Sequence, residues 1–279
     1  MKMRMFTMLC ALSFSAAATF AQTGAQSGTR FGHGEDSLRC LQNISIYSEY
    51  VKTDNFKDAY KPWKAVFTEA PIARVSTYTD GAKILRALIA GSKDAAQQKT
   101  YLDELMAVHD QRIKYLDQLN SLVKTPATKG SIIGMKAHDY IVFSGPNADV
   151  DKAYQMCKEA VDLEKATSDY FMFQDFMDVS SRKLKKDDTH KEQFIQDYLT
   201  ASAYADEALK AATKERDKKN LKQCRCLLHQ QWCCQLRKPA GNLWSESCSE
   251  QDKPGLSERG DLCNADAEMY RTGSILRSF

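Results

Sequence analysis

The chain has 279 residues and 43% hydrophobic content, too apolar for a wholly disordered polypeptide. Charged side chains make up 27% and nearly cancel, leaving a formal net charge of +3, so no strong field directs the chain to nucleic acid or an anionic membrane surface. Six prolines over this length favour helices, in one domain or a repeat array large enough to bury a core.

The first segment, "MKMRMFTMLCALSFSAAATFAQ", has a basic start at Lys2 and Arg4, an apolar run from Met5 to Phe14, and small residues up to Ala21. That order predicts a secretory signal peptide over residues 1–21, cleaved near Ala21. The apolar run is too short to span a bilayer. Cys10 lies inside it behind Leu9, a poor setting for a lipid anchor. Residues 22–36, "QTGAQSGTRFGHGED", predict a flexible linker. The mature chain is therefore expected to be exported without a membrane span, to the periplasm or the cell surface.

From 37 to about 220 the pattern is helical. Apolar residues recur every three or four positions, as in Ile44, Tyr47, Tyr50 and Val51, then Ile84, Leu85 and Leu88. Asp36-Ser37 and Asp54-Asn55 are expected caps. The segments pair as hairpins: 37–52 with 56–70, 76–90 with 95–121, 129–143 with 149–165, and 167–185 with 189–213. Consecutive pairs predict an all-α fold of the α-solenoid type. Pro62 falls inside the second helix, where it removes a donor and costs about 3 kcal/mol, and a local bend beside Trp63 is expected.

"TDNFKDAYKPWKAVFTEAP" (53–71) resembles the second half of a tetratricopeptide repeat, whose period is about 34 residues. With Cys40 as first position, Ala59 takes the small position where the helices touch. Trp63 takes the large aromatic position, Val66 the next small one and Pro71 the closing proline. Ile46 and Tyr50 match the first helix, while Tyr47 replaces a small residue. In the third pair Ala153, Cys157 and Ala160 fall on the same positions, with Gly134 and Ala137 in the partner helix and Lys165 in place of the proline. The second pair keeps Gly81 but has an overlong second helix, and the fourth keeps only length and periodicity.

The resemblance covers 37–220 and implies a right-handed α-solenoid like those of exported bacterial repeat proteins. It also implies a non-enzymatic scaffold holding a protein or peptide on its concave face, with no cofactor and no metal. On that face it places Tyr47, Tyr78, Gly81, Lys136 and Tyr140.

Residues 221–279 change character, and six of the nine cysteines fall here: Cys224, Cys226, Cys233, Cys234, Cys248 and Cys263. A metal knuckle on Cys224, Cys226, His229, Cys233 and Cys234 suits zinc by ligand type but not by spacing. A disulfide cluster suits an exported chain. A third reading is translation out of frame. Shifted by one base, permitted codons spell a helix-forming string without a stop, ending "CTEQEAYFAA", like the opening helix of a further repeat. The expected tail is irregular and Cys-rich.

Chemistry in the helical region is sparse. His109-Asp110 and His138-Asp139 spell the pair used by metal-dependent phosphohydrolases, which leaves an exported metal-dependent hydrolase as the alternative function. Adjacent residues point about 100° apart on a helix, however, and no further ligands stand out, so both pairs read as helix-surface polar residues. "KKDDTH" (185–190) reads as a solvated turn capped near Asp187 or Asp188. Cys40 and Cys157 lie in separate hairpins and are expected to be unbonded, Cys157 as a buried small hydrophobe.

Overall fold

The computed structural model of the protein describes residues 29–145 and 148–236. The expected signal peptide, most of the linker and the tail beyond 236 lie outside the described residues. Ten α-helices run through the described residues, which contain no strand: α1 (Gly34–Lys52), α2 (Phe56–Glu69), α3 (Ser76–Gly91), α4 (Ala95–Lys114), α5 (Leu116–Asn120), α6 (Lys129–Ser144), α7 (Val150–Glu164), α8 (Tyr170–Lys186), α9 (Lys191–Ala211) and α10 (Glu215–Leu236). Three helix starts use side chains that accept from free backbone donors. Asp94 accepts from the Ala96 amide, Thr128 from Ser131, and Asp149 from Asp151 and Lys152. The α1 start differs from expectation, because the helix begins at Gly34 and Asp36-Ser37 lies within its first turn.

Consecutive helices pack as hairpins, α1 on α2, α3 on α4, α6 on α7 and α8 on α9. First helices also meet across hairpins: α1 touches α3, α6 touches α8, and α8 touches α10. The second pair is interrupted at Tyr115, where φ is −106° and ψ is 21°; this splits the expected long helix into α4 and the short α5. Two apolar cores result. One is built from α1 to α5 and the other from α6 to α10, and Tyr140 of α6 packs against both. Helix α8 is the centre of the second core, with ten buried residues and contacts to α6, α7, α9 and α10.

Helix α2 continues through Pro62 to Glu69. Its neighbour Trp63 is fully buried, donates its indole Nε1–H to the Thr77 carbonyl at 2.7 Å and stacks on Phe67 with centroids 5.3 Å apart. The ring lies directly on Gly81 of α3: a Cβ there would come within 2.4 Å of Trp63 Nε1. Gly134 of α6 bears the same relation to Met172 of α8, at 2.7 Å from Cε. Ala59, Val66 and Pro71 are buried around Trp63, as are Ala153, Cys157 and Ala160 around α8. Small residues let helix backbones approach, and the large ring or thioether of the neighbour fills the space.

The expected irregular tail begins too early. Helix α10 runs to Leu236, and Leu221, Cys224 and Leu228 are buried against the second core. Their spacing of three and four continues the helical period, with Cys224 serving as a small apolar residue.

Pro62→Ala should raise the melting temperature by restoring a helix bond; a clear fall would mean that the proline's geometry is required by packing. Gly81→Ala forces a methyl into the Trp63 ring and should cost about 1–3 kcal/mol. Gly91→Ala, where nothing lies within 4 Å, should not destabilise the protein in the same thermal melt.

Candidate functional site

The residues with most chemical potential meet where the two cores join. Asp139 of α6 is 1% exposed. It accepts from Arg86 of α3 through Nε at 2.7 Å and Nη2 at 3.0 Å, and it pairs with His109 Nε2 of α4 at 2.7 Å. Burial alone would push this carboxyl up. The hydrogen bonds of His109 and Arg86 and the guanidinium charge outweigh burial and hold it below the ordinary carboxylate range. At the rim of the same seam Lys136 of α6 pairs with Asp110 of α4.

The next residue back, His138, turns away from this carboxylate. Its Nδ1 meets Asp175 Oδ2 of α8 at 2.8 Å, and its ring lies edge-on to Phe171. Burial opposes the imidazolium, but the Asp175 hydrogen bond and charge, with Asp139 nearby, outweigh it and lift the pKa above the ordinary 6.5. Burial also pushes Asp175 up, reinforced by Asp178 and opposed by His138 and Arg182.

A second buried cluster ties α7, α8 and α9. Asp197 accepts from Ser180 Oγ at 2.6 Å, Gln193 Nε2 at 2.8 Å and the Tyr154 hydroxyl at 3.2 Å, while His190 Nε2 lies 3.1 Å from Ser180 Oγ. The residue types are those of a nucleophile, a base and an acid, but the order is wrong for hydrolysis. The serine contacts the carboxylate directly, and it is fully buried among packed helices where no substrate carbonyl can reach it. This cluster joins helices.

Both His-Asp pairs were expected on helix surfaces; Asp110 is exposed there, but His109 and Asp139 are buried and His138 is largely covered. His109 is 3% exposed, and each pair is divided between different partners. The turn at 185–190 also differs: Asp187 caps it by accepting from Thr189, but His190 turns into the core. Arg86, Asp175, Ser180 and Asp197 escape a motif-based reading. The available signal was a charged residue inside an apolar run, as in "FMFQDFMDV" and "IIGMKAHDYIVF". Such a residue requires a buried partner.

Three of the five residues expected on the partner surface are buried. Tyr47 and Tyr78 are buried, with their hydroxyls on Thr77 Oγ1 and the Pro71 carbonyl. Side chains this large, on the inward stripe of α1 and α3, fill the first core. Gly81 is covered by Trp63. Lys136 and Tyr140 keep part of their surface; the Tyr140 hydroxyl accepts from the Asp149 amide at 3.0 Å.

The cysteines separate in the same way. Cys40, Cys157 and Cys224 are free and buried. Burial pushes the Cys157 thiol well up and the Cys224 thiol to about 12, so neither is a nucleophile at neutral pH. Cys226 is disulfide-bonded. Within the expected knuckle, Cys224 faces the Tyr170 carbonyl while His229 Nδ1 faces the Tyr198 hydroxyl. The Cys233 and Cys234 side chains, Cys248 and Cys263 lie outside what is described. Among the described residues no group of three or more His, Cys, Asp or Glu is placed to hold a metal ion, and no helix is long and apolar enough to cross a membrane.

Comparison with protein-family models, curated proteins and solved structures finds no match.

A raised folded-state pKa adds stability that is complete below the unfolded value and lost as pH rises through the folded one. The His138 contribution is thus full below its ordinary 6.5 and lost above its lifted value. Asp175 acts in the same direction at lower pH. His190 is lowered chiefly by burial, so it acts in the opposite sense, equally in wild type and a His138 variant. From about pH 6 to about pH 8, wild-type melting temperature should therefore fall more steeply than that of His138→Gln. Parallel curves would refute the assignment.

Proposed function

We propose that the protein is an exported, non-enzymatic helical-repeat scaffold that binds a protein or peptide partner in the bacterial cell envelope. It works as a right-handed solenoid of divergent tetratricopeptide-like hairpins. The observation that carries this reading is the close packing of successive hairpins through small residues, with Gly81 of α3 under Trp63 of α2 and Gly134 of α6 under Met172 of α8. The fate of the ionisable groups supports it. His109, Asp139, His138, Asp175, His190 and Asp197 are consumed in joining helices. Lys136 and Tyr140 retain surface between the two halves and are the places where a partner segment would be felt.

Capture with the purified chain from the producing cell's envelope tests the reading. One protein should be recovered at a fixed stoichiometry and remain chemically unchanged after release. Metal at one or two equivalents in the purified chain, or turnover of a captured molecule, would overturn the scaffold in favour of a metal-dependent hydrolase.

A further inference from the structure

Helix α1 packs on α2 and α3 through Cys40, Ile44, Tyr47 and Val51. Its opposite side is unusually apolar for a solvent face. Four of the nine large hydrophobic side chains exposed among the described residues lie on this one helix: Leu38 at 63%, Leu41 at 44%, Ile46 at 46% and Tyr50 at 36%. On a helical period Leu41, Leu38 and Ile46 form one stripe, with Tyr50 on its flank.

The charges along the helix are ordered too. Glu35 and Asp36 occupy the first turn, Arg39 follows, and Glu49 and Lys52 close the helix. This order reverses sign about the middle of α1. Laid antiparallel on itself and crossing level with Ile44, the helix brings Leu38 level with Tyr50 and Arg39 level with Glu49. The acidic first turn then meets Lys52. Such a match is the requirement of a two-fold, isologous contact, in which one surface must complement itself. Antiparallel pairing also opposes the two helix dipoles favourably.

We propose that the occupant of this face is a second copy of the same chain, joined through an antiparallel α1–α1 contact about a two-fold axis. Arg39 bonds Glu69 at 3.1 Å and Asp36 at 2.9 Å within its own chain, and Lys52 bonds Glu49 at 2.7 Å. All of these groups are exposed, so they can exchange partners at little cost. One helix pair buries less than the roughly 1,200 Å² of a standard interface. The dimer is therefore a weak, reversible one with a dissociation constant on the order of micromolar.

Sedimentation of the full chain from about 1 to about 200 µM tests this, with non-reducing electrophoresis alongside. The expected result is a concentration-dependent, non-covalent dimer. Leu38→Glu should abolish it. Arg39→Glu and Glu49→Arg should each weaken it at least about tenfold, because like charges then face each other. The double variant should restore it, because both symmetric pairs are re-formed with reversed sign. Thermal melts of each variant report folding, which changes at exposed positions should leave intact. A monomer throughout the range, a disulfide-linked dimer, a dimer indifferent to these changes, or a double variant that fails to recover would each overturn the proposal.

Discussion

A single buried carboxylate sets the relation between the two halves of the molecule. Asp139 sits where the cores meet, and a charge left alone there would cost several kcal/mol. Arg86 and His109 must therefore arrive together, from α3 and α4, with their donors aimed at one side chain of α6. Apolar contact is non-directional and would tolerate a slide of one core on the other. The bidentate guanidinium and the imidazole do not tolerate it, because their geometry is narrow. The angle between the halves is set by three polar groups on a background of grease.

The same solution recurs deeper in the chain. His138 and Asp175 link α6 to α8, and Asp197 gathers Tyr154, Ser180 and Gln193 from three helices. Each cluster lies where a helix must choose among several apolar neighbours. Hydrogen bonds distinguish alternatives that hydrophobic burial scores equally. This use of ionisable residues gives the buried clusters a structural role: their acids and imidazoles register the helices, and their polar atoms are engaged with one another.

The hairpins are legible in the sequence because helical periodicity is strong and the connections are short. Trp63 and Gly81 stand out separately, and the structure lays one on the other. What escapes is governed by distance along the chain. His109 and Asp139 are thirty residues apart, and no local pattern announces that two residues of different His-Asp pairs will meet. Tyr47 and Tyr78 resemble groove residues by position, yet each hydroxyl finds a partner inside, which lets the ring enter the core. The break at Tyr115 is likewise hidden, since both sides of it are helix-forming. Beyond 220, cysteine-rich composition disguises a spacing that remains helical, with Cys224 standing where a leucine or alanine would be unremarkable.

The division into two cores bears on how the chain assembles. Residues from Phe31 to Leu119 contain every buried member of the first apolar cluster, with only Tyr140 and Phe143 of α6 packing on it from beyond, so the first half can collapse as a unit while the second is still emerging. That early unit holds the Arg86 and His109 donors ready with no acceptor between them. Docking of α6 delivers Asp139 and, two elements later, α8 supplies Asp175 to the adjacent histidine. Order of synthesis and order of charge satisfaction thus coincide, and a chain halted before residue 139 would be compact but electrostatically unfinished at the surface where the rest must attach.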